Sequence, residues 1–206
     1  ALDSGAGAGT ITFQSTLDGN QTLGLTAGTG AIDFDGIVGG TTPLGAVTIT
    51  SAGNVTADAA FSAASLRQVA GTGTTTFTGA LATTAAAGIE VDGTNFDFNS
   101  TITSTLGDLD IDASGTVRFN GAVAMNDAGN GLVTVSNAGL LTITAAGDMS
   151  INGIFSQDGA GAASTAGDIT TTNDNINSLR AVTLTGAVAL DSGAGAGTIT
   201  FQSTLD

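Results

Sequence analysis

The chain has 206 residues and 41% hydrophobic content, enough apolar matter for a sizeable core and too much for a disordered polymer. Its net charge of −15 comes from 18 acidic residues, all Asp except Glu90, against Arg67, Arg118 and Arg180 and no Lys, a balance that repels nucleic acid and anionic membranes. With no Cys there are no disulfides or thiolate metal sites, and no apolar run reaches the 18 residues of a membrane span.

The first eighteen residues, ALDSGAGAGTITFQSTLD from Ala1 to Asp18, return unchanged as Ala189 to Asp206. Identity over such a stretch, loop-like Gly and Ala included, is expected of tandem duplication. Residues 1–188 are therefore read as one complete repeat and 189–206 as the start of the next, joined without a linker.

A finer pattern lies inside the 188-residue period, with apolar residues at the third, fifth and ninth places and a small residue at the seventh. In chain order it reads GTITFQSTL from Gly9, GAIDFDGIV from Gly30, GNVTADAAF from Gly53, GTTTFTGAL from Gly73, TNFDFNSTI from Thr94 and GTVRFNGAV from Gly115. GDMSINGIF from Gly147 and RAVTLTGAV from Arg180 follow, and the next copy begins at Gly197. Period-two alternation predicts short half-buried strands, and the small seventh residue predicts a bend between two of them. VTITSAGNV from Val47, LDIDASGTV from Leu109 and LTITAAGDM from Leu141 each add a strand upstream of the motif. SAASLRQVA from Ser62 reads as a helical or irregular corner, and Asp158 to Gly167 as a loop excursion.

Start points mostly 20 to 23 residues apart predict an all-β parallel β-helix, a β-solenoid of about 8–9 coils of roughly 21 residues per repeat. A tandem array of β-sandwich domains is the main rival. In the solenoid, Phe13, Phe34, Phe77, Phe98, Phe119 and Phe201 share the fifth place and should form an internal ladder; Phe96 takes the third place, and Phe61 and Phe155 the ninth. Asp97 and Arg118 share the exposed fourth place in adjacent coils, a test of register, and Asn99 and Asn120 share the sixth.

GLLTITAAGDMSINGIF from Gly139 and GDLDIDASGTVRFNGAV from Gly107 resemble the repeats of filamentous haemagglutinin-type adhesins, large repetitive bacterial exoproteins. The resemblance implies a right-handed parallel β-helix exported through the outer membrane. It transfers no catalytic or ligand residue.

Chemistry is sparse. β-Helix polysaccharide enzymes need clustered Asp with a basic partner and usually aromatic platforms, and this chain lacks Lys, His, Tyr and Trp, so no enzyme is expected. Asp33, Asp35 and Asp58, together with Asp108, Asp110 and Asp112, are candidate oxygen ligands for Ca²⁺, although no EF-hand or GGxGxD loop is present and solvated carboxylates are the plainer reading. No other cofactor is expected. Exposed T-x-T runs fit strand propensity better than an ice-matching array, because charges interrupt the column.

The functional expectation is a structural repeat of a long secreted cell-surface fibre or adhesin shaft, outside a bacterial cell, able to assemble into an extracellular filament or sheath. Its expected partners are neighbouring copies of the repeat, through lateral self-association as well, and a cell-surface or matrix ligand held by other regions. Nucleic acid and membrane insertion are not expected. The alternatives are a carbohydrate- or calcium-binding matrix module, then a polysaccharide-active β-helix enzyme.

Overall fold

Runs such as Ile32–Phe34 and Val117–Phe119 bury their outer two side chains and turn the middle one outward. Strands this short cannot form a stable hairpin, so each takes its partners one coil below and one coil above. The computed structural model, which describes residues 1–128, 130–178 and 180–206, shows the result: an all-β parallel solenoid of about nine turns with roughly 21-residue spacing. Every strand pairing among the described residues is parallel, and none of these residues is helical.

Each coil visits three faces in turn. The first face opens with Leu2–Asp3 and Leu23–Thr26 and includes Ile89–Gly93, Leu109–Ala113, Val133–Asn137, Phe155–Gln157, Ile176–Ser178 and Ile199–Phe201. The second is a nine-stranded sheet running from Ile11–Phe13 through Ile32–Phe34, Val55–Ala57, Thr74–Phe77, Asn95–Phe98, Val117–Phe119, Leu141–Ile143 and Ala163–Thr165 to Val182–Leu184. The third starts as single bridges at Leu17 and Val38 and continues through Leu81–Thr83, Ile102–Ser104, Val123–Met125, Met149–Ile151 and Ile169–Thr171 to Leu190–Asp191.

The first six motif copies place their third and fifth residues in register on the second face, as in Phe96 beside Val117 and Phe98 beside Phe119. The copy from Gly147 slips by one face, whereas the copy from Arg180 returns Val182 and Leu184 to the second. Met149 pairs with Val123 and Ile169 on the third face, and Phe155 pairs with Val133 and Ile176 on the first. The second face is taken there by Leu141–Ile143 and Ala163–Thr165, which keeps the coils near constant length. The slip is possible because all three faces use the same alternation of small polar and aliphatic residues.

Two other expectations are corrected. The segment from Ser62 does turn a corner but is neither helical nor irregular: Phe61–Gln68 is one strand that crosses from the third face to the first and joins them into a 16-stranded sheet. Its alternating burial shows why, since Phe61, Ala63 and Leu66 all reach the core. Asp158 to Gly167 is no excursion either, because it carries the Ala163–Thr165 strand. The chain does bulge between Val38, opposite Phe61, and Leu44, opposite Ala63, where Pro43 lies and where Thr41 and Thr42 N–H both donate to Asp18 Oδ1.

The core is a lumen of stacked side chains. Phe13 and Phe34 stack at 5.1 Å, Phe77 and Phe98 at 5.9 Å, and Phe98 and Phe119 at 5.4 Å. Between Phe34 and Phe77 the column holds only Ala57, and Phe61 enters the gap from the third face, meeting Phe34 edge-on at 5.4 Å and Phe77 at 5.7 Å. Phe201 does not join this ladder: it sits on the first face beside Ser178, half-buried.

Corners are closed by side chains that reach the next coil. Asn54 Oδ1 accepts from Thr74 N–H, Asn95 Oδ1 from Thr116 N–H and Asn175 Oδ1 from Thr198 N–H, each at 2.9 Å. Asp108, Asp148 and Asp168 use the same device on Leu132, Asp168 and Ala189 N–H. Each bond satisfies an amide that the ladder leaves over at the bend. Replacing Asn95 by Ala should therefore lower stability by about 1 kcal/mol, while Asn95→Asp, which keeps the acceptor, should lose less. Thermal melts and faster exchange of the Thr116 amide check this.

The bend between the second and third faces shows a further regularity. Its column reads Ser15, Gly36, Ala59, Gly79, Ser100, Gly121, so that every second coil lacks a Cβ. A Cβ built on Gly36, Gly79 or Gly121 would run into the backbone of Ser15, Ala59 or Ser100 directly below.

Candidate functional site

The densest group of ionisable side chains lies outward on the first face. Parallel register sets Glu90 between Arg67 and Asp110, and sets Asp92 beside Asp112. Arg67 Nε donates to Glu90 Oε2 at 3.0 Å, and that bond, with the Glu90 charge, holds the guanidinium above its ordinary range. Asp110 continues the first column towards Thr134, and Asp112 the second towards Ser136. Burial first, then the charges of Asp112 and Glu90, pushes both Asp92 and Asp110 above the usual carboxylate range.

The six candidate calcium ligands lie on different parts of the solenoid. Asp33 stands on the second face between Thr12 and Thr56. Asp35 and Asp58 follow it at the bend in adjacent coils, their amides bonded to Phe13 and Phe34 carbonyls. Asp108 is engaged with the Leu132 amide, which leaves Asp110 and Asp112 in the acidic group. Among the described residues no three or more Asp, Glu, His or Cys side chains are placed to hold a metal ion. In-register strands about 4.8 Å apart carry their carboxylates side by side, where coordination needs them to converge on one point. Glu90 and Asp92 escaped the sequence reading, although their 20-residue offset from Asp110 and Asp112 was the available signal.

Asp97 and Arg118 are direct neighbours on the second face. Arg118 turns to its own strand, donating from Nε to Asn120 Oδ1 at 2.8 Å, and Asn120 in turn donates from Nδ2 to Asn99 Oδ1 at 2.6 Å. This amide ladder bridges two coils on the surface.

Polar groups also enter the lumen. Gln157 Nε2 donates to Asn137 Oδ1 at 2.8 Å, and Ser178 Oγ donates to Gln157 Oε1 at 3.0 Å, a fully paired ladder at the edge of the core. Beyond Phe119 the second-face column shrinks to Ala163 and Thr165, and a cavity of ≈ 30 Å³ remains among Ile143, Phe155, Ile176 and Val182. That is space for a water or two and for no organic substrate.

The acidic group makes stability depend on pH. Because the folded chain holds protons on Asp92 and Asp110 more tightly than the unfolded chain does, their contribution is full below the ordinary carboxylate pKa of about 3.9 and is lost as pH rises through the raised folded values. The melting temperature should rise as pH falls from 7 towards 4. Asp110→Asn should raise it at pH 7 and flatten the pH dependence, relieving a like-charge contact of about 0.2 to 1 kcal/mol.

Fold and core together define a β-helix protein, a parallel solenoid of about nine turns around a mainly apolar lumen. Compared with family models, curated proteins and solved structures, the chain finds no match.

Proposed function

We propose that this chain is a structural repeat from the shaft of a long secreted fibre or adhesin on a bacterial cell surface, with no catalytic role of its own. The observation that carries the reading is the way residues 189–206 sit on the rest. Leu190 lies on Ile169, Ile199 on Ile176 and Leu205 on Val182, each extending an existing ladder by one step. The identical segment at the other end enters the ladders just as directly, with Leu2 on Leu25 and Ile11 on Ile32. A fold whose beginning and end are the same sequence, both in register, lengthens by duplication with no new interface. Neighbouring copies are then the first partners, and recognition of a cell-surface or matrix ligand falls to other regions.

The test is a polypeptide of three consecutive repeats imaged by cryo-electron microscopy. A continuous rod advancing about 40 to 45 Å per repeat is expected from coil spacing near 4.8 Å. Separate beads would overturn the shaft.

A second reading, a calcium-dependent matrix module, draws on the Glu90, Asp92, Asp110 and Asp112 group. It requires millimolar Ca²⁺ to raise the melting temperature well beyond an equal ionic strength of NaCl. The shaft reading expects the two salts to act alike and EDTA to have no effect.

A further inference from the structure

The two copies of the eighteen-residue segment do not occupy the same faces. In the first, Leu2 lies on the first face, Ile11 on the second and Leu17 on the third. In the second copy the matching residues have each moved back by one: Leu190 is on the third face, Ile199 on the first and Leu205 on the second. Between Leu2 and Leu190 the chain completes eight coils and two further faces, so the repeat contains about eight and two-thirds coils, not a whole number.

The segment is built to tolerate the change. Its SGAGAG corner folds in the same way at both sites: Ser4 Oγ donates to Gly9 carbonyl and Gly5 N–H to Asp3 Oδ1, and Ser192 Oγ donates to Gly197 carbonyl and Gly193 N–H to Asp191 Oδ1. Gly5 and Gly193 both take positive φ, 91° and 78°. The same three side chains enter the ladders each time. The corner thus carries its own geometry, and the faces it joins are interchangeable to it.

Resting on the shaft reading, we infer that the open C-terminal coil receives the next copy of the repeat turned back by one face of the solenoid. Anything displayed by one repeat, such as the Glu90, Asp92, Asp110 and Asp112 group, then emerges on the third face of the next copy and on the second face of the one after. Three advances of eight and two-thirds coils make twenty-six whole coils, so the exterior regains its phase only after three copies, roughly 125 Å along the axis.

The chain contains no Cys, so cross-linking can read the phase directly in the 206-residue protein. Asn177 and Thr200 are register partners on the first face, whereas a whole number of coils would return Thr200 to the second face beside Thr183. The double variant Asn177→Cys, Thr200→Cys should form a disulfide or short bis-maleimide link at least about tenfold faster than Thr183→Cys, Thr200→Cys. Thr142→Cys, Ser164→Cys, partners within the shaft, reports that the fold is intact. Preferential linking of the Thr183 pair would overturn the rotation and leave the continuous shaft standing. If only the control pair links, the second copy is not docked, and the shaft reading falls with the rotation.

Discussion

Phe98→Ala should be among the most damaging single truncations in the lumen. Phe98 is fully buried and stacks on Phe77, Phe96 and Phe119, so its loss removes three ring contacts and opens a cavity that fixed coil spacing cannot collapse. The expected cost is about 3 to 5 kcal/mol, a fall in melting temperature on the order of 10 °C for a chain of this size. Because contacts pass only between neighbouring coils, the damage should be local. Hydrogen exchange should accelerate first in Asn95–Phe98 and Val117–Phe119, with Leu23–Thr26 little changed. Phe201→Ala, by contrast, should cost less than half as much, since that ring is half-buried and stands apart from the aromatic column. Equal losses at the two positions would mean that Phe201 belongs to the aromatic ladder after all.

Gly79→Val is the second severe substitution, for the opposite reason. The new side chain must occupy space already held by the Ala59 carbonyl group and the Ala60 amide, at a bend where backbone meets backbone. Overpacking of this kind costs about 1 to 3 kcal/mol, and more where the obstacle is main chain. Gly79→Ala should show the same effect in milder form. Adding Ala59→Gly should not rescue it, because the obstacle is the Ala59 backbone and not its methyl group. Gly7→Ala, with nothing near its Cβ position, should stay within about 0.5 kcal/mol of the parent protein. Thermal melts of the four variants decide the matter.

The solenoid could be read in the sequence because burial on a short strand imposes strict alternation, and Ile32-Asp33-Phe34 or Val117-Arg118-Phe119 obey it. Phase was harder to read than period. GDMSINGIF matches GTVRFNGAV residue type for residue type, yet Met149 belongs to the third face and Val117 to the second. Only pairing with the coils on either side distinguishes them, and that information is non-local. Phe201 was misplaced for the same reason, as an exact copy of Phe13 on another face. The replacement of Ala57 by Phe61 was equally hidden, because it depends on a ring reaching across the lumen from a different strand. At the acidic group Asp110 and Asp112 were legible from alternation within one strand, while Glu90 and Asp92 required the register between two.

The ladders also decide how such a body meets tension. Bonds between coils lie along the long axis, so a pull on the two ends loads them a few at a time, at whichever outer coil opens first. A coil of roughly 21 residues released in this way contributes at most about 70 to 75 Å of extended chain in place of about 4.8 Å of folded length. Stretching should proceed in small, similar steps towards the order of fifteen times the resting length. The aromatic column from Phe13 to Phe119 makes the early coils the last to yield, with the sparsely filled turns beyond Ile143 giving way before them.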